Sequence, residues 1–333
     1  VNLPWLSDDP GIVLASRVRL ARNLDGLPFR GALPPSAARD FCERVRSSLD
    51  PFGYGTLASD ASSDAVELAD SLTIPTDLVE NGSPWLALRK GARGVLVLHD
   101  DHLRAWALRP GFDFPGALDD LVEVESDIAL LGPFSRDPDW GWRTASPEDV
   151  GTGLRAGALL HVPALWLARR LSSLSDGLDV LGGRLRCAWH GEALGPLVVA
   201  SNRITLGRSE LDLLHDLERW TRRISEEEER AARDLVEHWG GELRDAVQRS
   251  DAVLGAARLM SESELQQRMA LLALGIRLGW LPNRRGGDVL RLLLGTRQGT
   301  LRARRAGEIP EGHAQLDDLR ASEARVLWGL AGE

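Results

Sequence analysis

The chain has 333 residues, 43% hydrophobic and 27% charged, a length that favours two domains over one core. A formal net charge of −9 argues against nucleic acid as the main partner, because a phosphate backbone is bound by a basic surface. Cys42 and Cys187 are too few for a disulfide framework and lack metal-ligand spacing; with no apolar run of membrane-spanning length and no secretory signature in VNLPWLSDDP, a cytoplasmic protein is expected.

In chain order, residues 11–24 read as a strand. Residues two apart on a strand point the same way, so Arg17 and Arg19 share a face about 6–7 Å apart, with Val18 and Leu20 turned inward. Residues 35–49 carry Ala38, Phe41, Val45 and Leu49 at helical spacing. The Gly/Ser/Asp-rich run 51–64 reads as a loop. Residues 94–108 (GVLVLHDDHLRAWAL) alternate well enough for one long strand, which would put Asp100 and Arg104 on one surface.

Residues 134–155 (FSRDPDWGWRTASPEDVGTGLR) read as loop, with Ser146 and Pro147 suited to a helix N-cap and first turn. The stretch 158–174 reads as strand or helix, with a helix after Pro163. A strand, a turn and a helix beginning near Ser209 follow, with Glu210 favoured by the dipole of the first turn. Beyond Ile224 nearly everything is helical, and two S-x-x-E boxes, Ser225 to Glu228 and Ser261 to Glu264, read as caps. A domain boundary is therefore expected near 225–235: a mixed α/β catalytic part, 1–228, and a helical part, 229–333.

The chemistry is suggested by arginine. Of 40 Lys plus Arg, only Lys90 is lysine. Five arginines lie in four separated motifs: Arg17 and Arg19 in ASRVRLARNL, Arg104 in DDHLR, Arg155 in VGTGLR and Arg184 in GGRLRCAW. The flat guanidinium fork holds phosphate oxygens two at a time. Guanidiniums that converge repel one another unless a polyanion lies between them, so a site gathering five implies a ligand with several negative charges. Taken singly, each arginine reads more readily as a surface ion pair. Asp100 alone could be a solvated carboxylate, His102 a hydrogen-bonded structural histidine, and Cys187 and Trp189 packing residues.

Together the motifs resemble the ATP:guanidino phosphotransferases, most closely the bacterial protein-arginine kinases of the McsB type. SRVRLARN, DDHLR, VGTGLRA, ASNRITLGRSE and LDDLRA stand in the family's order, and the likeness spans essentially the whole chain. It implies an α+β catalytic fold, an antiparallel sheet flanked by helices, followed by an all-α domain that dimerises. It further implies that ATP and Mg²⁺ are used, with Arg17, Arg19, Arg104, Arg155 and Arg184 on the phosphates. Arginine side chains of proteins would be the acceptors. Possible partners are an activator protein and a AAA+ protease system; neither nucleic acid nor membrane is expected.

The likeness puts Asp100 where a glutamate holds the acceptor guanidinium and takes its proton. His99 stands beside it in a glutamate's place. A second family glutamate is replaced by Trp189, and the nearest carboxylate, Glu192, could serve only if the loop shifts. Ser146, Asp149, Gly151 and Gly153 fall in the substrate loop, the first two replacing cysteine and asparagine, with the glycines expected to let the backbone approach the substrate. In the phosphoarginine-pocket motif, Asp317 and Arg320 are kept while Leu316 replaces the leading arginine. Three outcomes stay open: a protein-arginine kinase, a nucleotide-binding pseudokinase acting as adaptor or dimerisation partner, and a small-guanidine kinase. The last is disfavoured by the helical tail and by the lack of a small-substrate domain before residue 11.

Overall fold

The computed structural model describes residues 3, 5–80, 84–189, 191–304 and 313–330. Its strands are β1 (Val13–Arg22), β2 (Gly55–Ser59), β3 (Leu86–Lys90), β4 (Arg93–Val97), β5 (Leu103–Pro110), β6 (Arg136–Asp137), β7 (Gly141–Trp142), β8 (Leu154–His161), β9 (Gly183–Cys187) and β10 (Leu197–Asn202). Eight of them form one antiparallel sheet in the order β2-β3-β4-β5-β1-β8-β10-β9. The first strand of the chain thus lies near the middle, paired on one side with β5 and on the other with β8. The fold is α+β, as the resemblance implies.

Alternation on the central strands decides what each sheet face does. Val18, Leu20, Ala105, Ala156 and Ala158 turn to one side and are at most 2% exposed. Against them pack α1 (Pro35–Leu49), through Ala38, Phe41, Val45 and Leu49, and α4 (Phe114–Ala129), through Phe114, Ala117, Leu121, Val124 and Ile128. Both helices present apolar residues at helical spacing and so cover a sheet face with a single stripe. Asp113 caps α4 by accepting from the Gly116 amide at 2.9 Å.

Several expectations need correction. The run 51–64 contains β2, which pairs with β3. Residues 94–108 are a hairpin and not one strand: β4 and β5 pair across residues 98–102, where Leu98 takes a left-handed φ of 57°. The alternation carries on through the turn, so period alone could not locate it. Residues 134–155 include the small β6–β7 ladder. After β8 come α5 (Pro163–Leu167) and α6 (Leu171–Val180), settling the strand-or-helix question at Pro163.

Helix α7 (Glu210–Ala256) starts at Ser209 with a complete capping box to Asp212 and runs 47 residues, kinked at Trp239 (φ −137°, ψ 22°). Ser225 is therefore no N-cap: its hydroxyl donates to the Thr221 carbonyl inside the helix at 3.0 Å. Glu228, fully buried, accepts from the amides of Ala164 and Leu165 at 2.9 and 2.7 Å and pairs with Arg277. It caps the start of α5 and ties the later helices to it. The second box is real, for Ser261 accepts from the Glu264 amide at the start of α8 (Glu262–Arg277).

Beyond α8 come α9 (Gly286–Gly295), α10 (Gln298–Arg304) and α11 (His313–Leu330). Two short helices, α2 (Ala65–Asp70) and α3 (Thr76–Glu80), sit between β2 and β3. The late helices do not stand apart from the sheet. Leu14, Ala15 and Leu197 share one apolar cluster with Leu254, Met269, Leu292 and Trp328. No helix among the described residues is long and apolar enough to cross a membrane.

Candidate functional site

The other face of the central strands is the unusual one. Strand register places Arg19 opposite Trp106 on β5 and Arg155 on β8, and Arg17 opposite Leu108 and Gly157. Arg184 lies opposite Ser201 and Arg186 opposite Val199, across β9 and β10. Period two makes all of these project to one side. They floor a cavity of about 300 Å³ into which Arg17, Arg19, Arg104, Arg155, Arg184 and Arg186 all open. Its walls come from residues 69–77, from His99 and Asp100 in the hairpin turn, and from Ser146 and Asp149.

The five arginines singled out by motif are thus brought together. Arg186 is a sixth, and a signal for it existed: the spacing that pairs Arg17 with Arg19 also pairs Arg184 with Arg186. The electrostatic consequence is strong. Burial, then the charges of Arg186 and Arg104, push the Arg17 guanidinium down to about 10. Arg19 is held well below the usual arginine range by burial and by Arg17, Arg104, Arg186 and Arg155. Arg186 is lowered too, by burial and then Arg155. Arg17, Arg19 and Arg186 make no hydrogen bond or ion pair among the described residues, and the Arg17 Nε is buried without an acceptor. The Arg17 guanidinium lies over the Trp106 ring, 5.9 Å away.

Acidic side chains serve the remaining three. The Arg104 Nη2 donates to Asp100 Oδ2 at 2.9 Å. Arg155 donates to Asp149, its Nε at 3.0 Å, and lies 3.4 Å from Glu148 Oε2. Arg184 grips Glu148 through both oxygens, at 2.7 and 3.2 Å. The 3-10 turn at Pro147–Asp149 follows Ser146, whose side chain makes no cap hydrogen bond there.

Asp100 is half exposed at the cavity wall, with His99 Nδ1 3.2 Å from its Oδ2. His99, followed by Arg104, holds this carboxyl below the usual carboxylate range against the opposing effect of burial. The opposite ring nitrogen of His99 lies 3.3 Å from Asp77 Oδ2. Asp77, on α3, is a cavity-wall carboxylate that no motif singled out.

The neighbours of Asp100 fix the hairpin turn. Asp101, fully buried, accepts from the Asn23 side chain at 2.7 Å and the Ala145 amide at 2.6 Å. His102 receives the Leu24 amide on Nδ1 at 3.1 Å, so its Nε2 carries the proton and donates to the Pro28 carbonyl at 2.7 Å. Burial lowers its pKa, and its role is to hold the turn against β1. Asn23 closes the set by accepting from the His102 amide at 2.8 Å.

Glu192 is not part of this constellation. Its carboxylate is bound by Arg297 of the segment between α9 and α10, and it does not line the cavity. Trp189 is 3% exposed, donates its indole N–H to the Asp70 carbonyl at 2.9 Å, and stacks under Arg297 at 4.2 Å. Gly151 and Gly153 adopt φ of 115° and 69°, where glycine is favoured. Added Cβ atoms would lie 2.9 Å from Leu206 and 2.7 Å from Arg22, so the chain's own packing already demands glycine.

Asp317 and Arg320 meet elsewhere, at the start of α8. Arg320 is 2% exposed, donating to the carbonyls of Thr296 and Met260 and to Asp317. Leu316 is buried beside them. The donors of Arg320 are therefore engaged by internal partners.

Comparison with known proteins bears on all of this. Residues 64–231 match the family described as ATP:guanido phosphotransferase, C-terminal catalytic domain. Residues 240–328 match that described as protein-arginine kinase McsB C-terminal domain. The chain is 31% identical to the protein-arginine kinase of Halalkalibacterium halodurans, over 99% of this chain and 96% of that one. It is 29% identical to that of Shouchella clausii, with the same coverage of 99% and 96%. Among solved structures, lombricine kinase superposes with a TM-score of 0.54 at 17% identity, over 68% of each chain. The substrate-free duplicated taurocyamine kinase from Schistosoma mansoni gives 0.53 at 20% identity, over 68% of this chain and 34% of that one. These two likenesses establish the fold.

Proposed function

The chain belongs to the ATP:guanido phosphotransferase family, and from that premise we propose that it transfers the γ-phosphoryl group of ATP to arginine side chains of proteins. The observation that carries the reading is the cavity itself, where three half-buried arginines have no acceptor among the described residues and three more hold carboxylates. Such an arrangement is unfavourable on its own and is stabilised by a ligand with several negative charges.

In the reaction, a nitrogen of the acceptor guanidinium attacks the γ-phosphorus. The N–P bond forms, the bond from phosphorus to the bridging oxygen of ADP breaks, and the acceptor's proton passes to Asp100. Phosphoryl transfer depends mainly on positioning and neutralisation, which the six arginines supply. Asp100 begins as a weak base because His99 and Arg104 hold its charge. Phosphate oxygens arriving at Arg104 take that guanidinium's donors and relieve its part of the hold on Asp100, which then acts as a general base, a contribution typically ~10² to 10⁴ in rate. Among the described residues no group of three or more His, Cys, Asp or Glu is placed to hold a metal. Mg²⁺ would then be carried chiefly by the phosphates, where it neutralises charge; Asp149 and Glu148 are the nearby carboxylates.

The division into a catalytic part, 1–228, and a dimerising helical part, 229–333, belongs to the same proposal. So do a homodimer, an activator protein and delivery of the modified protein to a AAA+ protease. A second reading is favoured by one observation, the capture of Glu192 by Arg297 beside a buried Trp189, which removes the expected second acid. On that reading the chain is a pseudokinase that binds nucleotide without turning it over. Incubation with ATP, Mg²⁺ and casein, followed by mass spectrometry suited to acid-labile phosphoarginine, separates the two. Phosphoarginine is expected. No modification, beside a working family enzyme, together with an ATP-raised melting temperature, would leave the pseudokinase.

A further inference from the structure

Six guanidiniums repel a seventh, so an arginine acceptor can enter this cavity only against carboxylates. The loop after β9 supplies none, since Trp189 is packed away and Glu192 is held by Arg297. The cavity wall does supply a pair. Asp77 and Asp100 line the cavity with side chains 39% and 46% exposed, and His99 lies between them at 2%. The two ring nitrogens of His99 reach Asp77 Oδ2 and Asp100 Oδ2 at 3.3 and 3.2 Å, yet neither completes a hydrogen bond of good geometry. A buried imidazole opening into a cavity with its donors off line is an arrangement left for a ligand to complete.

We propose that Asp77 and Asp100, joined through His99, form the subsite for the acceptor's guanidinium, with Asp77 providing the second carboxylate from α3. The inference rests on the reading of the chain as an arginine kinase and deepens it. Asp77 is well placed because α3 is rigidly seated: Ile74 and Leu78, 3% and 0% exposed, anchor it against Trp85, Leu96 and Trp106. Asp100 is seated as firmly, since Asp101 and His102 lock the hairpin turn. His99 is a positioning residue that keeps the two acids at a fixed separation. Two carboxylates also select for a planar cation with donors on more than one edge, which a guanidinium is and a lysine ammonium is not.

The test measures binding of N-acetyl-L-arginine amide to the full chain by titration calorimetry, with ADP and Mg²⁺ present and again without them. Asp77→Asn is expected to weaken binding by about tenfold to a hundredfold, the scale of one charge-assisted hydrogen bond. Affinity for ATP is expected not to fall, because the Asp77 charge, which acts on Arg186, opposes the phosphates and does not assist them. Asp77→Glu keeps the charge and is expected to recover part of the loss, which separates a binding role from a folding defect. Unaltered affinity in Asp77→Asn, or no binding by the unmodified chain, overturns the subsite. Binding that depends on Asp77 with no phosphate reaching casein leaves the subsite standing and removes the kinase reading instead.

Discussion

Buried arginines in two regions of this molecule behave in opposite ways. On the cavity floor, Arg17, Arg19 and Arg186 have no acceptor among the described residues, and burial, then like charge, lowers their pKa. In the helical region, Arg297 and Arg320 are more deeply buried, at 9% and 2% exposure, but are paired with acids. Arg297 is drawn down by burial, yet Glu192, Glu262 and Asp70 raise it above the ordinary value. Arg320 meets two carbonyls, Asp317 and Glu262. The same side chain is cohesive in one place and destabilising in the other. A buried guanidinium without an acceptor is a stored demand for an anion; one with partners is a structural fastening.

The largest effect should come from breaking a fastening. Glu228 is fully buried, caps α5 and pairs with Arg277, so Glu228→Ala leaves two amides and a guanidinium unserved. Chemical denaturation should show a loss of ~3–5 kcal/mol, the scale for removing one partner of a buried pair. A loss below about 1 kcal/mol would mean that the helical region hardly depends on this tie.

The opposite sign is expected on the cavity floor. Arg19→Met removes a charge surrounded by four others, so unliganded stability should hold or rise. Affinity for ATP should nevertheless fall by about tenfold to a hundredfold, or ~1.5–3 kcal/mol, when one charged hydrogen-bond donor is lost. Melting temperature without ligand and titration calorimetry with it give the two readings. If Arg19→Met destabilises the empty protein as Glu228→Ala does, the two regions are not different in kind.

Much of this contrast was legible in the sequence, because it rests on local periodicity. Alternation in ASRVRLARNL gave both the inward Val18 and Leu20 and the shared face of Arg17 and Arg19. Helix α1 was readable from four apolar residues, and Ser209 and Ser261 announced helices that do start beside them. Long-range pairing was not legible. Ser225 to Glu228 has the same local form as Ser261 to Glu264. It differs because Leu213, Leu217, Trp220 and Ile224 already carry a buried stripe through it, making Glu228 a core residue. The hairpin at 98–102 lacks glycine, proline and asparagine, so its turn left no mark. Asp77 and Arg297 show their roles only once α3 and the end of α9 are folded against the sheet.

The smallest effect should fall where the two regions' chemistry overlaps, at the turn after Ser146. Glu148 serves Arg184 and Arg155 as the acids of the helical region serve Arg297, but in the cavity and at 41% exposure. An exposed pair of this kind is worth ~0.2–1 kcal/mol, so Glu148→Gln should barely alter stability. Its carboxylate occupies donors that phosphate oxygens would use, and a neutral amide of the same shape competes less well for them. ATP affinity should therefore rise by about twofold to fivefold, the equivalent of ~0.4–1 kcal/mol. Raised salt should shrink the difference between the two proteins, since screening weakens the exposed pair first. A fall in ATP affinity would instead make Glu148 a contributor to the bound complex, and the turn would then belong with the ligand's partners and not with its competitors.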